Sequence, residues 1–82
     1  MKDDSLYEPI AQLYQWKYQY DPSNFVCQLY DLFKKADRQN FARLANGFPL
    51  HARALQLWEQ AGNFGNDLFE LYEIYDYKRR RP

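Results

Sequence analysis

Tyr14-Gln15-Trp16-Lys17-Tyr18-Gln19-Tyr20 is the stretch on which the fold turns. Taken in steps of two, it alternates aromatic and polar residues, as a half-buried strand does. Taken with its upstream neighbours, Ile10, Leu13, Tyr14, Lys17 and Tyr18 recur at helical spacing after a start at Glu8-Pro9. A lone strand needs a pairing partner, and the only other candidate is the tail around residues 75–77. Every other segment reads helical, so a helix is expected here as well. The alternative is an α+β fold, with a short two-stranded ribbon from residues 14–20 and the C-terminal segment.

Downstream, Asp21-Pro22-Ser23-Asn24 offers a cap residue with Pro at the first helical position. Phe25, Val26, Leu29, Leu32, Phe33 and Ala36 then mark one apolar face. Asp37 is placed to cap a short helix carrying Phe41, Leu44 and Ala45, ended by Asn46-Gly47 through a left-handed glycine. Phe48-Pro49 opens a helix lined by Leu50, Ala54, Leu57, Trp58 and Ala61, closed by Gly62. Asn66 caps a last helix with Leu68, Leu71, Tyr72 and Tyr75 facing inward. The expected fold is all-α, a compact single domain of four to five helices over residues 1–82, with 78–82 a flexible basic tail. Its core is expected to hold Phe25, Leu29, Leu32, Phe33, Phe41, Leu44, Leu55, Trp58, Leu68 and Leu71.

Eighty-two residues leave room for one small domain. A chain of this size buries only about 60–65% of its unfolded surface. Hydrophobic residues at 46% and charged residues at 27% are ordinary globular values, which argue against disorder. The net charge of zero removes the simplest case for a general nucleic-acid or anionic-membrane binder. No apolar run approaches the roughly 20 residues of a membrane helix, and the acidic start at Met1-Lys2-Asp3-Asp4-Ser5 lacks a signal-peptide core. A single cysteine, Cys27, excludes an internal disulfide framework. A cytoplasmic, non-membrane protein is expected.

Catalysis and metal binding find little support in the residue types. One histidine, His51, and one thiol, Cys27, lack a third group to orient them as base and nucleophile. Cys27 sits among Phe25, Val26 and Leu29, where a free cysteine acts as a small buried hydrophobe. His51 lies near a helix start and reads as a surface or capping residue. One His and one Cys cannot close a zinc site. No enzyme activity, cofactor or metal is expected.

Charge is strongly blocked along the chain. Residues 1–33 carry a net −3, residues 34–53 a net +4, residues 54–77 a net −5 and residues 78–82 a net +4. The blocks can pair inside the fold as weak surface ion pairs, or present themselves to partners. Asp67, Glu70, Glu73 and Asp76 recur every third residue as an acidic stripe, either a solvated helix face or a docking stripe. The terminal Lys78-Arg79-Arg80-Arg81 is either a phosphate hook or compensation for a helix end.

The aromatic content of 20% is the sharpest clue. Tyr7, Tyr14, Trp16, Tyr18 and Tyr20 crowd the first segment, and Tyr72, Tyr75 and Tyr77 the last. Tyr and Trp join apolar area to a hydrogen-bonding tip, so they concentrate at protein interfaces. The same rings could equally pack the two chain ends against each other. Tyr14, Trp16, Tyr18 and Tyr20, with Arg38, Arg43 and Arg53 as anchors, are the expected partner-binding set for a protein partner or for a homodimer with two-fold symmetry. A small nucleic-acid-binding factor is the alternative. There the 34–53 block would form a helix-turn-helix in which His51, Arg53 and Gln56 face bases and Lys34, Lys35, Arg38 and Arg43 touch phosphates. Arg43 at the position of the usual small residue, and Pro49 in the turn, count against it.

Lys35-Ala36-Asp37-Arg38-Gln39-Asn40, followed by Leu44 and Gly47-Phe48-Pro49, resembles short uncharacterised proteins encoded by phages and other mobile elements. The resemblance covers about 15 of the 82 residues and carries over no functional residue. It implies a small binding factor rather than an enzyme, and some such proteins inhibit host defence machinery. With it, the functional expectation is a non-catalytic protein–protein interaction module, a phage-type modulator or inhibitor of a host complex.

Overall fold

The computed structural model describes residues 3–61 and 66–74, the side chains of residues 66 and 67 excepted. Every regular element among them is helical. A 3-10 turn at Asp4–Leu6 leads directly into α1 (Tyr7–Tyr18), followed by α2 (Phe25–Lys35), α3 (Arg38–Gly47), α4 (Pro49–Gln60) and α5 (Asn66–Leu71). The fold is thus all-α with five helices, and residues 14–18 lie in α1, which removes the ribbon alternative. The C-terminal half of that ribbon, residues 75–77, lies outside the described residues, as does the basic tail at 78–82.

The alternating aromatics of α1 have a helical explanation. Two residues along a helix turn the side chain by about 200°, so alternate positions land on opposite sides. Both sides of α1 are covered. Tyr14 meets the ring of Phe69 in α5 edge-on, with centroids 5.2 Å apart. Trp16 instead packs on Tyr30 of α2 at 5.7 Å and edge-on to Trp58 of α4 at 6.0 Å. Ile10, Ala11 and Leu13 are fully buried beneath them. Glu8, Gln12 and Gln15 form a narrow polar stripe between the two covered sides, so polar residues fall between rings along the sequence and the two-residue alternation results.

The start of α2 differs from expectation. Asn24 is its cap, with the side chain accepting from the amides of Val26 and Cys27 at 2.9 and 3.0 Å. Asp21-Pro22-Ser23 forms a preceding turn, in which Asp21 accepts from the Ser23 amide and hydroxyl. The buried face of α2 is Cys27, Leu29, Tyr30 and Phe33. Phe25 and Leu32, expected in the core, are 64% and 45% exposed. Tyr30 has taken the central place: it is fully buried and its hydroxyl donates to the Pro9 carbonyl at 2.7 Å. Cys27 is a buried thiol, as its neighbours suggested.

Asp37 caps α3 by accepting from the Asn40 amide at 2.8 Å. The helix does not stop through a left-handed glycine. Gly47 is its last residue, and Phe48 alone, at φ −134° and ψ 65°, separates α3 from α4. The cause is Pro49 at the first position of α4, whose ring drives the preceding residue out of the helical region. A one-residue joint leaves no room for the three- or four-residue turn of a helix-turn-helix, so that arrangement is not formed.

Past α5, Glu73 adopts φ 58°, and the Ile74 amide donates to Phe69 O while the Glu73 amide donates to Glu70 O. This pair of bonds is a Schellman closure with glutamate where glycine is usual. It buries Phe69, Tyr72 and Ile74 and leaves Leu71, expected inside, 52% exposed. Leu50 of α4 is also exposed rather than lining the core. The Tyr72 hydroxyl donates to the Asp3 carbonyl and accepts from the Asp3 amide, joining the far end of the described chain to its start.

Candidate functional site: a groove between α2 and α3

Phe25 and Leu32 sit seven residues apart on α2, and Ala36 four further on, so all three fall within about 40° of one another around the helix axis. They form an apolar stripe beside the buried face, turned away from the core. Ala36 and Asp37 break the helix, and α3 departs at an angle that leaves its own apolar residues only partly covered. No residue of α3 is buried, although Phe41 reaches back to Phe33 with ring centroids 5.2 Å apart. Between the two helices lies a groove of about 480 Å³, lined by Leu32, Lys35, Ala36, Asn40, Arg43 and Leu44.

The floor of this groove is aliphatic and its edge is cationic. Lys35 stands on the α2 side and Arg43 on the α3 side, where its guanidinium donates to Asn40 Oδ1 at 3.2 Å. Lys34, one residue away, is committed elsewhere, in an ion pair with Glu59 at 2.6 Å. Among the described residues, no ion pair neutralises Arg43. Lys35 does feel Asp31, one turn back on α2, which its charge helps keep ionised. The concave shape, the apolar floor and the Arg43 charge are features that a groove for a protein segment uses.

The expected aromatic set is divided by the structure. Tyr14 and Tyr18 meet at 4.9 Å with their rings tilted by 50°, and both touch Phe69, which ties α1 to α5. Trp16 is half-buried and its indole N–H donates to Asp31 Oδ1. Tyr20 is exposed, with its hydroxyl donating to Asp31 Oδ2 at 2.5 Å. Arg38 and Arg43 lie on α3 and Arg53 on α4, all exposed, and of the whole set only Arg43 lines the groove. Of the acidic stripe, Asp67 and Glu70 fall in α5, Glu73 lies beyond its end, and Asp76 is outside the described residues. The left-handed Glu73 breaks the helical register that the stripe assumed.

Cys27 and His51 occupy separate surroundings. Cys27 is enclosed, whereas His51 is half-buried between the rings of Tyr30 and Phe48, at 5.8 and 6.1 Å. Its Nε2–H donates to Gln12 Oε1 at 2.8 Å, so it is neither a cap nor a free surface residue. Burial lowers its pKa below 6.5, opposed by the nearby charge of Glu8. Among the described residues no group of three or more His, Cys, Asp or Glu side chains is placed to hold a metal ion. No helix among them is long and apolar enough to cross a membrane.

Leu32, Ala36, Asn40 and Leu44 are the groove residues that the sequence reading did not assign to a site, and Lys35 it gave only to phosphate contact in the nucleic-acid alternative. A signal was present: α2 carries more apolar residues than one buried face can hold, so one of two adjacent stripes had to remain outside. No family model matches the chain, and neither a curated protein nor a solved structure matches it.

Proposed function

We propose that this chain is a non-catalytic protein-interaction module that receives its partner in the groove between α2 and α3. The observation that carries the reading is the groove itself, an aliphatic floor of Leu32, Ala36 and Leu44 edged by Lys35 and Arg43. Exposed Phe25 extends the same side of α2, with its ring 6.0 Å from that of Phe48. An extension of the same proposal is that the partner is a component of a host complex that the module modulates.

The test is affinity capture from host lysate, with and without nuclease, comparing the native chain with Leu32→Asp and Arg43→Glu. A partner retained after nuclease and lost with both variants is the expected result. Capture that ignores both variants overturns the groove reading. Recovery that vanishes with nuclease moves the function to nucleic acid, through Arg38, Arg43 and Arg53.

A further inference from the structure

We infer that the occupant of the groove is an acidic amphipathic helix from another protein, with apolar residues at i, i+3 or i+4, and i+7 and with Asp or Glu beside them. This rests on the groove being the docking site. Lys35 on one side and Arg43 on the other bracket a floor of Leu32, Ala36 and Leu44, so a bound segment must be apolar along its centre and acidic at its flanks.

The mode of binding follows from what the two walls are. Strand addition needs an open sheet edge, and the described residues hold no strand. Polyproline grooves are lined by aromatic rings, whereas this floor is aliphatic. Single-stranded nucleic acid needs a stacking platform as well as charge, and no ring lines the groove. Helix-in-groove docking remains, read through anchors on one face of the incoming helix. The lining on α2 runs from Leu32 to Ala36, four residue steps and about 6 Å, one turn of a partner helix, so that further anchors would lie beyond the groove, where exposed Phe25 stands two turns away on the same side.

The chain's own segments do not supply this occupant. Residues 75–82 carry a net +3, the same sign as the groove edge, and residues 62–65 are four uncharged residues joining α4 to α5. A second copy could offer Glu70 beside exposed Leu71 from α5, a helix of only six residues, or Glu8 beside exposed Tyr7 at the start of α1, and neither presents a row of apolar anchors flanked by acids. A separate acidic helix suits the charge better.

The experiment titrates the full chain against a fluorescent, end-capped 14-residue peptide with Leu at three positions of one face and Glu on both flanks. Two control peptides replace the Glu residues with Lys, or the Leu residues with Ser. The acidic peptide should bind saturably, and each control about tenfold or more weaker. Lys35→Glu with Arg43→Glu should reverse the preference, so that the Lys peptide now binds better. Circular dichroism should show the variant as helical as the native chain, and a second reversal at Arg43 alone is available should the double variant unfold. Equal binding of Glu and Lys peptides, or no saturation up to millimolar peptide, overturns the inference. Sedimentation showing a dimer lost in Arg43→Glu would place a second copy in the groove and also overturn it. Should lysate capture depend on Leu32 and Arg43 while the acidic peptide fails, the groove reading stands and only the acidic helix falls.

Discussion

Trp16 donates its indole N–H to Asp31 Oδ1 at 3.0 Å, and this bond fixes α1 to α2 at the end where the chain turns back. The same carboxylate accepts from the Tyr20 hydroxyl, so two aromatics near the turn converge on one acid. Trp16→Phe keeps much of the ring contact with Tyr30 and Trp58 and loses the hydrogen bond, which should cost about 1 kcal/mol in urea unfolding. In an Asp31→Ala background, which removes the acceptor, the same substitution should cost measurably less, because the two residues share one interaction.

The Asp31 carboxyl is held below its ordinary 3.8 by the Tyr20 and Trp16 hydrogen bonds, with Lys35 contributing. A depressed folded-state pKa stabilises the fold above the unfolded value, and that contribution is lost as pH falls through the lower folded one. His51 is also depressed, by burial, and there the neutral form is the one folding favours. Its contribution is complete above 6.5 and declines as pH falls below that value toward the folded pKa. Denaturation midpoints should therefore drop between neutral pH and the acid side of 6.5, and His51→Gln should flatten that part of the profile.

Tyr30 combines complete burial with a bond to the Pro9 carbonyl. Tyr30→Phe should cost about 1 kcal/mol through the lost bond, and Tyr30→Ala about 3–5 kcal/mol through the cavity. An equal cost for the two would show that packing around the ring contributes nothing.

Leu32 and Arg43 should behave in the opposite way to Tyr30. Arg43 is exposed, so Arg43→Glu should leave stability within about 0.5 kcal/mol, and Leu32→Asp, which gives up a part-covered side chain, should cost only about 1 kcal/mol. Partner capture should nevertheless fail. Large destabilisation by either would place these side chains in the fold rather than at its docking face.

Glu73 pays for a left-handed conformation that glycine adopts freely, and its negative charge sits at the unfavourable end of α5. Glu73→Gly should be more stable than Glu73→Ala by about 1 kcal/mol, roughly 5 °C in thermal melting, because both remove the side chain and only glycine removes the backbone strain.

The helical class, the Asp37 cap and the Pro49 start were legible because each is local, written in residues a few positions apart. What failed was the assignment of faces. Phe25, Leu32 and Ala36 have an apolar periodicity as good as that of Cys27, Leu29, Tyr30 and Phe33. Which stripe becomes core depends on where α1 lies, and periodicity within α2 carries no information on that. The aromatics of α1 misled for the related reason that it is covered from several directions. Glu73 was hidden because no short-range rule singles out a glutamate for the left-handed region. The groove, built from one helix's surplus stripe and its neighbour's angle, exists only at the level of packing.

One consequence of α3 concerns time rather than shape. The helix has no buried residue, joins α4 through Phe48 and touches the core only through the partly covered Phe41, Leu44 and Ala45. Opening it exposes less apolar surface than opening α1 or α4, so its amides should exchange with solvent before theirs. Each such opening erases one wall of the groove. A bound partner would slow that exchange selectively in residues 38–47, so the least protected helix of the free protein should be the one whose protection rises most on binding.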